Sequence, residues 1–134
     1  MTVSGGEAGS NGGNIAVTNI GAQLIMTDAT VANGTATNTG GNVYTLNVPT
    51  VTITGGAITG GTASNHGGNM YATHTSIVAS RKLTMKEVTV SNGTAKNNGG
   101  NLYIAKVGVV KLENVTCENG IAKDSGSNVY LTLN

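Results

Sequence analysis

The sequence predicts an all-β fold, a three-sided parallel β-helix (β-solenoid) of about five turns, and three observations carry that prediction. Gly-Gly-Asn followed by an apolar residue and usually Tyr recurs at Gly40–Tyr44, Gly67–Tyr71 and Gly99–Tyr103, with looser copies at Gly12–Ala16 and Gly126–Tyr130. The asparagines of this motif, Asn14, Asn42, Asn69, Asn101 and Asn128, stand 28, 27, 32 and 27 residues apart, which marks one unit stacked on itself. Between them apolar residues recur with period two, as in Thr50-Val51-Thr52-Ile53-Thr54, and that is strand periodicity.

Counting back from each asparagine aligns the units in columns. Eight residues before it stand Gly6, Gly34, Gly61, Gly93 and Gly120, and six before it stand Ala8, Ala36, Ala63, Ala95 and Ala122. A glycine repeated at one place supplies positive φ or close backbone approach, and a repeated alanine leaves room for a methyl group only. Three apolar columns define inward faces. They lie eleven before (Val3, Val31, Ile58, Val90, Cys117), eighteen and sixteen before (Leu24 and Met26 through Val110 and Leu112), and one after (Ile15, Val43, Met70, Leu102, Val129). Three short strands per 27 residues leave only tight corners between them. With a rise of about 4.8 Å per turn, the stack is about 20 to 24 Å tall. A leucine-rich repeat has a similar period and its own asparagine ladder, but its second half needs helix or an extended leucine pattern, and here that half is Gly, Thr and Asn.

Composition agrees. The 134 residues form one domain by length, 1–134, with 21 glycines and 10% charged residues. The net charge of +1 gives no reason to expect nucleic acid or an anionic membrane as partner, and no apolar run approaches a membrane span, so no insertion into a membrane is expected. The charge is uneven. Residues 1–80 hold Glu7 and Asp28 and no Lys or Arg, a balance of −2; the remainder holds seven basic and four acidic residues, a balance of +3. Met1-Thr2-Val3-Ser4-Gly5-Gly6 lacks the features of a signal peptide, so export would need a signal outside this chain.

The Gly-Gly-Asn and Asn-Gly-Thr-Ala elements, such as Asn92-Gly93-Thr94-Ala95, resemble the right-handed parallel β-helices of the pectate-lyase-like superfamily. The resemblance is to the Gly-Gly-rich repeats of bacterial surface adhesins, autotransporter passengers and polymorphic outer-membrane proteins, and it extends over the whole chain. It implies an extracellular or cell-surface location and a structural or adhesive role. The catalytic members of that superfamily imply clustered acids for calcium with an Arg or Lys base. Here the six acids are scattered and Arg81 is the one arginine.

The asparagines are expected to form an internal ladder at one corner, bonded to backbone and to one another. Asn33, Asn92 and Asn119 precede glycine and are expected in left-handed or turn conformations at a second corner. Asn33, Asn92 and Asn114 also begin glycosylation sequons. Tyr44, Tyr71, Tyr103 and Tyr130 follow an inward residue by one, so alternation turns them outward into a strip that either stabilises its face or receives sugar rings or a partner chain. Cys117 occupies an apolar column and reads as a buried, inert thiol. Neither His66 nor His74 has a Cys or carboxylate at ligand spacing, so no metal or other cofactor is expected.

The strongest catalytic arrangement is Asp28 with Glu87, in one column two rungs apart, about 10 Å. It lacks a basic or aromatic companion set, and we expect no enzyme. The 32-residue interval holds five extra residues within Ala72 to Lys82, and corner insertions often carry recognition, so His74, Arg81 and Lys82 form a candidate contact patch. Threonine rows on flat solenoids bind ice, and Thr50, Thr52 and Thr54 make one such row, but the neighbouring rows do not repeat it.

The chain begins thirteen residues before its first ladder asparagine and stops six after its last, in mid-turn, with Val3, Val129 and Leu131 keeping the inward pattern. Open, uncapped ends predict either a longer array or end-to-end stacking of copies. The charge asymmetry favours head-to-tail order and a filament. The expected function is a structural or adhesive segment of an extracellular fibre, with itself, a glycan or a surface ligand as partner. The alternative is a polysaccharide lyase or glycoside hydrolase, and ice binding is a distant third.

Overall fold

The computed structural model describes residues 1–132, and over these the chain is a parallel β-solenoid of about five coils with no helix. The first coil holds β1 (Thr2–Ser4), β2 (Glu7–Ala8), β3 (Ile15–Thr18) and β4 (Gln23–Thr27). The second holds β5 (Thr30–Ala32), β6 (Thr35–Ala36), β7 (Val43–Leu46) and β8 (Thr50–Thr54), and the third β9 (Ala57–Thr59), β10 (Thr62–Ala63), β11 (Met70–Thr73) and β12 (Lys82–Lys86). In the fourth lie β13 (Thr89–Ser91), β14 (Thr94–Ala95), β15 (Leu102–Ala105) and β16 (Val109–Glu113), and in the fifth β17 (Thr116–Glu118), β18 (Ile121–Ala122) and β19 (Val129–Thr132). Like strands pair in parallel into four sheets, three of five strands and one of four.

The register is the column alignment itself. Val3 pairs with Val31, Ala63 with Ala95, Tyr71 with Tyr103, and Leu83 with Val51 and Val110. Each strand residue lies in register with its repeat equivalent, so a pattern legible within one coil fixes its pairing with the next.

The three expected strands per coil are present, and a fourth joins them. It is the two-residue Thr-Ala strand β6 and its equivalents, which pair Thr35 with Thr62 and Ala36 with Ala63. Two residues cannot display a period-two pattern, so this side reads as part of a corner until its hydrogen bonds are seen. Its alanines, Ala36, Ala63 and Ala95, are buried.

Inside, the expected columns form one core: Val31, Ile58 and Val90 from one sheet, Val51, Ile53, Leu83 and Met85 from another, and Val43, Met70 and Leu102 from a third. Ala72 and Ile104 add a further inward column, and Val48 and Val107 fill the corner that follows. The outer coils bury less, because among the described residues one face of each has no neighbour. Leu24, Val110, Cys117 and Val129 pack against the core only in part, and Leu112 is exposed.

Corners use left-handed backbone at fixed columns. Asn33, Asn92 and Asn119 have φ near 55°, with Gly60 in the same column, as their place before a glycine predicts for the asparagines. Asp28, Glu87 and Asn114 share a second left-handed column with Gly55.

Candidate functional site

The asparagine ladder is continuous and buried. Asn69 Nδ2 donates to Asn101 Oδ1 at 2.7 Å and to Ser91 O at 2.7 Å, while its Oδ1 accepts from Asn42 Nδ2 and from Gly61 N, both at 2.8 Å. Asn42 and Asn101 repeat this arrangement. In Asn42, Asn69 and Asn101 all four bonding positions of the amide are filled, so this inner part of the ladder has nothing left for a ligand. The glycine eight before explains itself here. A Cβ on Gly61 would sit 2.8 Å from Asn69 Oδ1 and would overlap the carbonyl of Gly68 in the same corner.

The tyrosines stack as their column requires. Ring centroids are 5.6 Å apart for Tyr44 and Tyr71, 4.8 Å for Tyr71 and Tyr103, and 4.9 Å for Tyr103 and Tyr130, with interplanar angles of 7° to 12°. Stacking turns the ring faces toward each other, so solvent meets edges and hydroxyls along the row. The strip is also less open than alternation suggests. Tyr44 is only 9% exposed and the other three are partly buried. Burial raises the phenol pKa of Tyr44, Tyr71 and Tyr103, and neighbouring phenols add to this for Tyr71 and Tyr103.

His66, from the corner column, joins the stack with its centroid 4.7 Å from that of Tyr103 and 6.4 Å from that of Tyr71. Its Nδ1 is buried without a hydrogen-bond partner among the described residues. Burial lowers its pKa, and Asp124 acts in the opposite direction. Position alone gave no sign that a corner histidine would lie over the rings of the next strand. A second asparagine ladder was also not foreseen: Asn38, Asn65 and Asn97, four before the main ladder, bond side chain to side chain. Its signal was present as a repeated Asn column.

The insertion divides the expected contact patch. His74 is 5% exposed, and its Nδ1 lies 3.1 Å from Arg81 Nη1. Asn47 Oδ1, from the coil before, accepts from Thr75 N at 2.9 Å and lies 3.5 Å from Arg81 Nη1. His74 and Arg81 therefore hold the base of the loop, and Asn47 is the anchor that sequence reasoning missed. Burial, reinforced by the Arg81 charge, lowers the His74 pKa. Lys82 is exposed at the start of β12, while Ile77 and Val78 form the exposed crown of the loop.

Asp28 and Glu87 both sit on the left-handed corner column, exposed, with Gly55 between them. The Asp28 carboxylate lies over Gly55, in the space a Cβ there would need. Cys117 is partly buried in its apolar column, and burial raises its thiol pKa, so little thiolate is available as a nucleophile. Among the described residues no three His, Cys, Asp or Glu side chains converge on a metal-sized site, and the surface has no pocket. Compared with known proteins, the chain matches no family model, no curated protein and no solved structure.

Proposed function

We propose that this chain is a non-enzymatic structural or adhesive β-solenoid, a segment of an extracellular or cell-surface fibre of the adhesin kind. The supporting observation is where its chemically capable side chains go. The five asparagines hold the corner, the tyrosines stack on one another, His74 and Arg81 brace the insertion, and Cys117 lines the core. What remains for contact includes an open side with tyrosine edges, the Ile77–Val78 crown and the exposed Lys82. Such a side suits an extended partner, a glycan or a neighbouring surface chain, better than a small enclosed substrate.

A glycan-array screen paired with polysaccharide lyase and hydrolase assays tests this. The expected result is no turnover, with any binding reduced by Lys82→Glu. Turnover that Asp28→Asn or Glu87→Gln abolishes would replace this reading with an enzymatic one.

A further inference from the structure

The fifth coil has a serine where each earlier coil has glycine, and the Cβ this adds bears on what can follow that coil. In the residue directly before the ladder asparagine, the chain has Gly13, Gly41, Gly68 and Gly100, and then Ser127. A Cβ on any of those four glycines would overlap the carbonyl oxygen of the equivalent residue one coil further on, Gly41, Gly68, Gly100 and Ser127 in turn. It would also strike the backbone of the adjoining short strand, with Gly100 meeting Ile121 O at 2.7 Å. Real Cβ atoms do not come that close to backbone, so a coil is followed by another of this geometry only where this residue is glycine.

Ser127 carries that Cβ. Its corner has the same backbone course as the others: Gly126 O accepts from Gly100 N and Asn128 O from Asn101 N, as Gly99 O accepts from Gly68 N and Asn101 O from Asn69 N. Gly126 also keeps the positive φ of Gly40, Gly67 and Gly99. The Ser127 Cβ therefore points where a sixth coil would place its corner carbonyl.

The ladder alone would favour stacking. Among the described residues the Nδ2 of Asn128 has no acceptor, and the Oδ1 of Asn14 accepts from Gly6 N alone. Donor and acceptor would meet if a second copy stacked head to tail, and the −2 and +3 halves would attract. We propose that Ser127 is a steric stop. It closes the Asn128 face to the Asn14 face of a second copy, whereas the Asn14 face is open to a solenoid coil that has glycine before its asparagine.

This inference rests on coil geometry and not on the adhesive reading, so a failed ligand screen leaves it standing. The test compares the full chain with Ser127→Gly and Ser127→Ala, by light scattering and electron microscopy, from micromolar to millimolar concentration. Ser127 is exposed, and circular dichroism checks that both variants keep the fold. The expected result is that wild type and Ser127→Ala, which both keep the Cβ, stay monomeric. Ser127→Gly forms linear particles whose mean mass rises roughly twofold or more. Added wild type, which can join only through its Asn14 face, shortens those particles. A monomeric Ser127→Gly, or wild type and Ser127→Ala assembling as far as Ser127→Gly, would overturn the stop. Particles that wild type does not shorten would overturn the open Asn14 face.

Discussion

Two corners of each coil obey opposite rules. The Gly-Gly-Asn corner is nearly the same in every coil, while the corner between the tyrosine-bearing strand and the next reads Asn19–Ala22, Asn47–Pro49, His74–Arg81 and Lys106–Gly108. The first turns its asparagine inward, where the amide bonds to two neighbouring coils and backbone fills the remaining space. Each of its residues answers to atoms on three sides. The second corner turns outward and is held at its base, by Val48 and Val107 in two coils and by the His74–Arg81–Asn47 set in the coil with the insertion. Beyond that base it is free to vary, because solvent accepts any length and any polar group.

Breaking the inward corner has the largest expected effect. Asn69→Leu keeps the branched side-chain shape but removes the bonds that Gly61 N, Ser91 O, Asn42 Nδ2 and Asn101 Oδ1 make to the amide. The loss is about 4 kcal/mol or more, measured as a shift of the urea midpoint. Should Asn69→Leu cost less than 1 kcal/mol, the ladder is not what holds that corner.

The same substitution made at both corners sharpens the contrast. Gly68→Ala drives a Cβ into Thr94 N and the Gly100 carbonyl, inside two packed coils. About 3 kcal/mol is expected. Gly108→Ala meets Val78 O and Ala79, on a loop whose residues are exposed and can shift, so the expected cost is about 1 kcal/mol or below. Equal costs would mean that the insertion is as rigid as the core.

Tyr71→Leu removes two stacked contacts from the middle of the row while keeping an apolar side chain. A loss of about 1 to 2 kcal/mol is expected from thermal or urea unfolding. A wholly neutral result would show the strip to be dispensable for stability and free to be shaped by binding.

The smallest effect is local and set by pH. His74 is neutral when its Nδ1 accepts from Arg81, and burial and the Arg81 charge hold its folded pKa below the ordinary 6.5. The unfolded or opened form then binds more protons in the window beneath 6.5. The bracing is therefore complete above that pH and lost as pH falls from 6.5 toward the lowered folded value. The protection factor of the Thr75 amide, the slowing of its exchange relative to the unstructured chain at the same pH, is expected to fall over that window while those of the ladder-bonded amides of Gly61 and Gly93 hold. His74→Gln should flatten the dependence; an unchanged profile in that variant would assign the effect elsewhere.

Much of this was legible in the sequence because stacking makes the tertiary neighbour of a residue its own repeat equivalent. Val31 lies on Val3 and under Ile58, so one column of letters is also one row of the core. Asn42, Asn69 and Asn101 could be placed inside for the same reason. The legible part stops where a residue has no equivalent. His74 has Asn47 and Lys106 as its column neighbours, and neither foretells a buried imidazole paired with an arginine seven residues later. Tyr44 follows the outward alternation, yet it is buried.

By itself, then, the sequence determined the period, the parallel register, the ladder and the inward columns, since each is a local pattern repeated by translation along one axis. The tertiary structure alone decided the fourth side, whose two-residue strands are too short to show a period, and the insertion, whose partners come from another coil without any repeat to announce them. The letters show Ser127 where glycine is the rule, and only the packing around Gly13, Gly41, Gly68 and Gly100 shows that a Cβ in this column meets the carbonyl of the following coil.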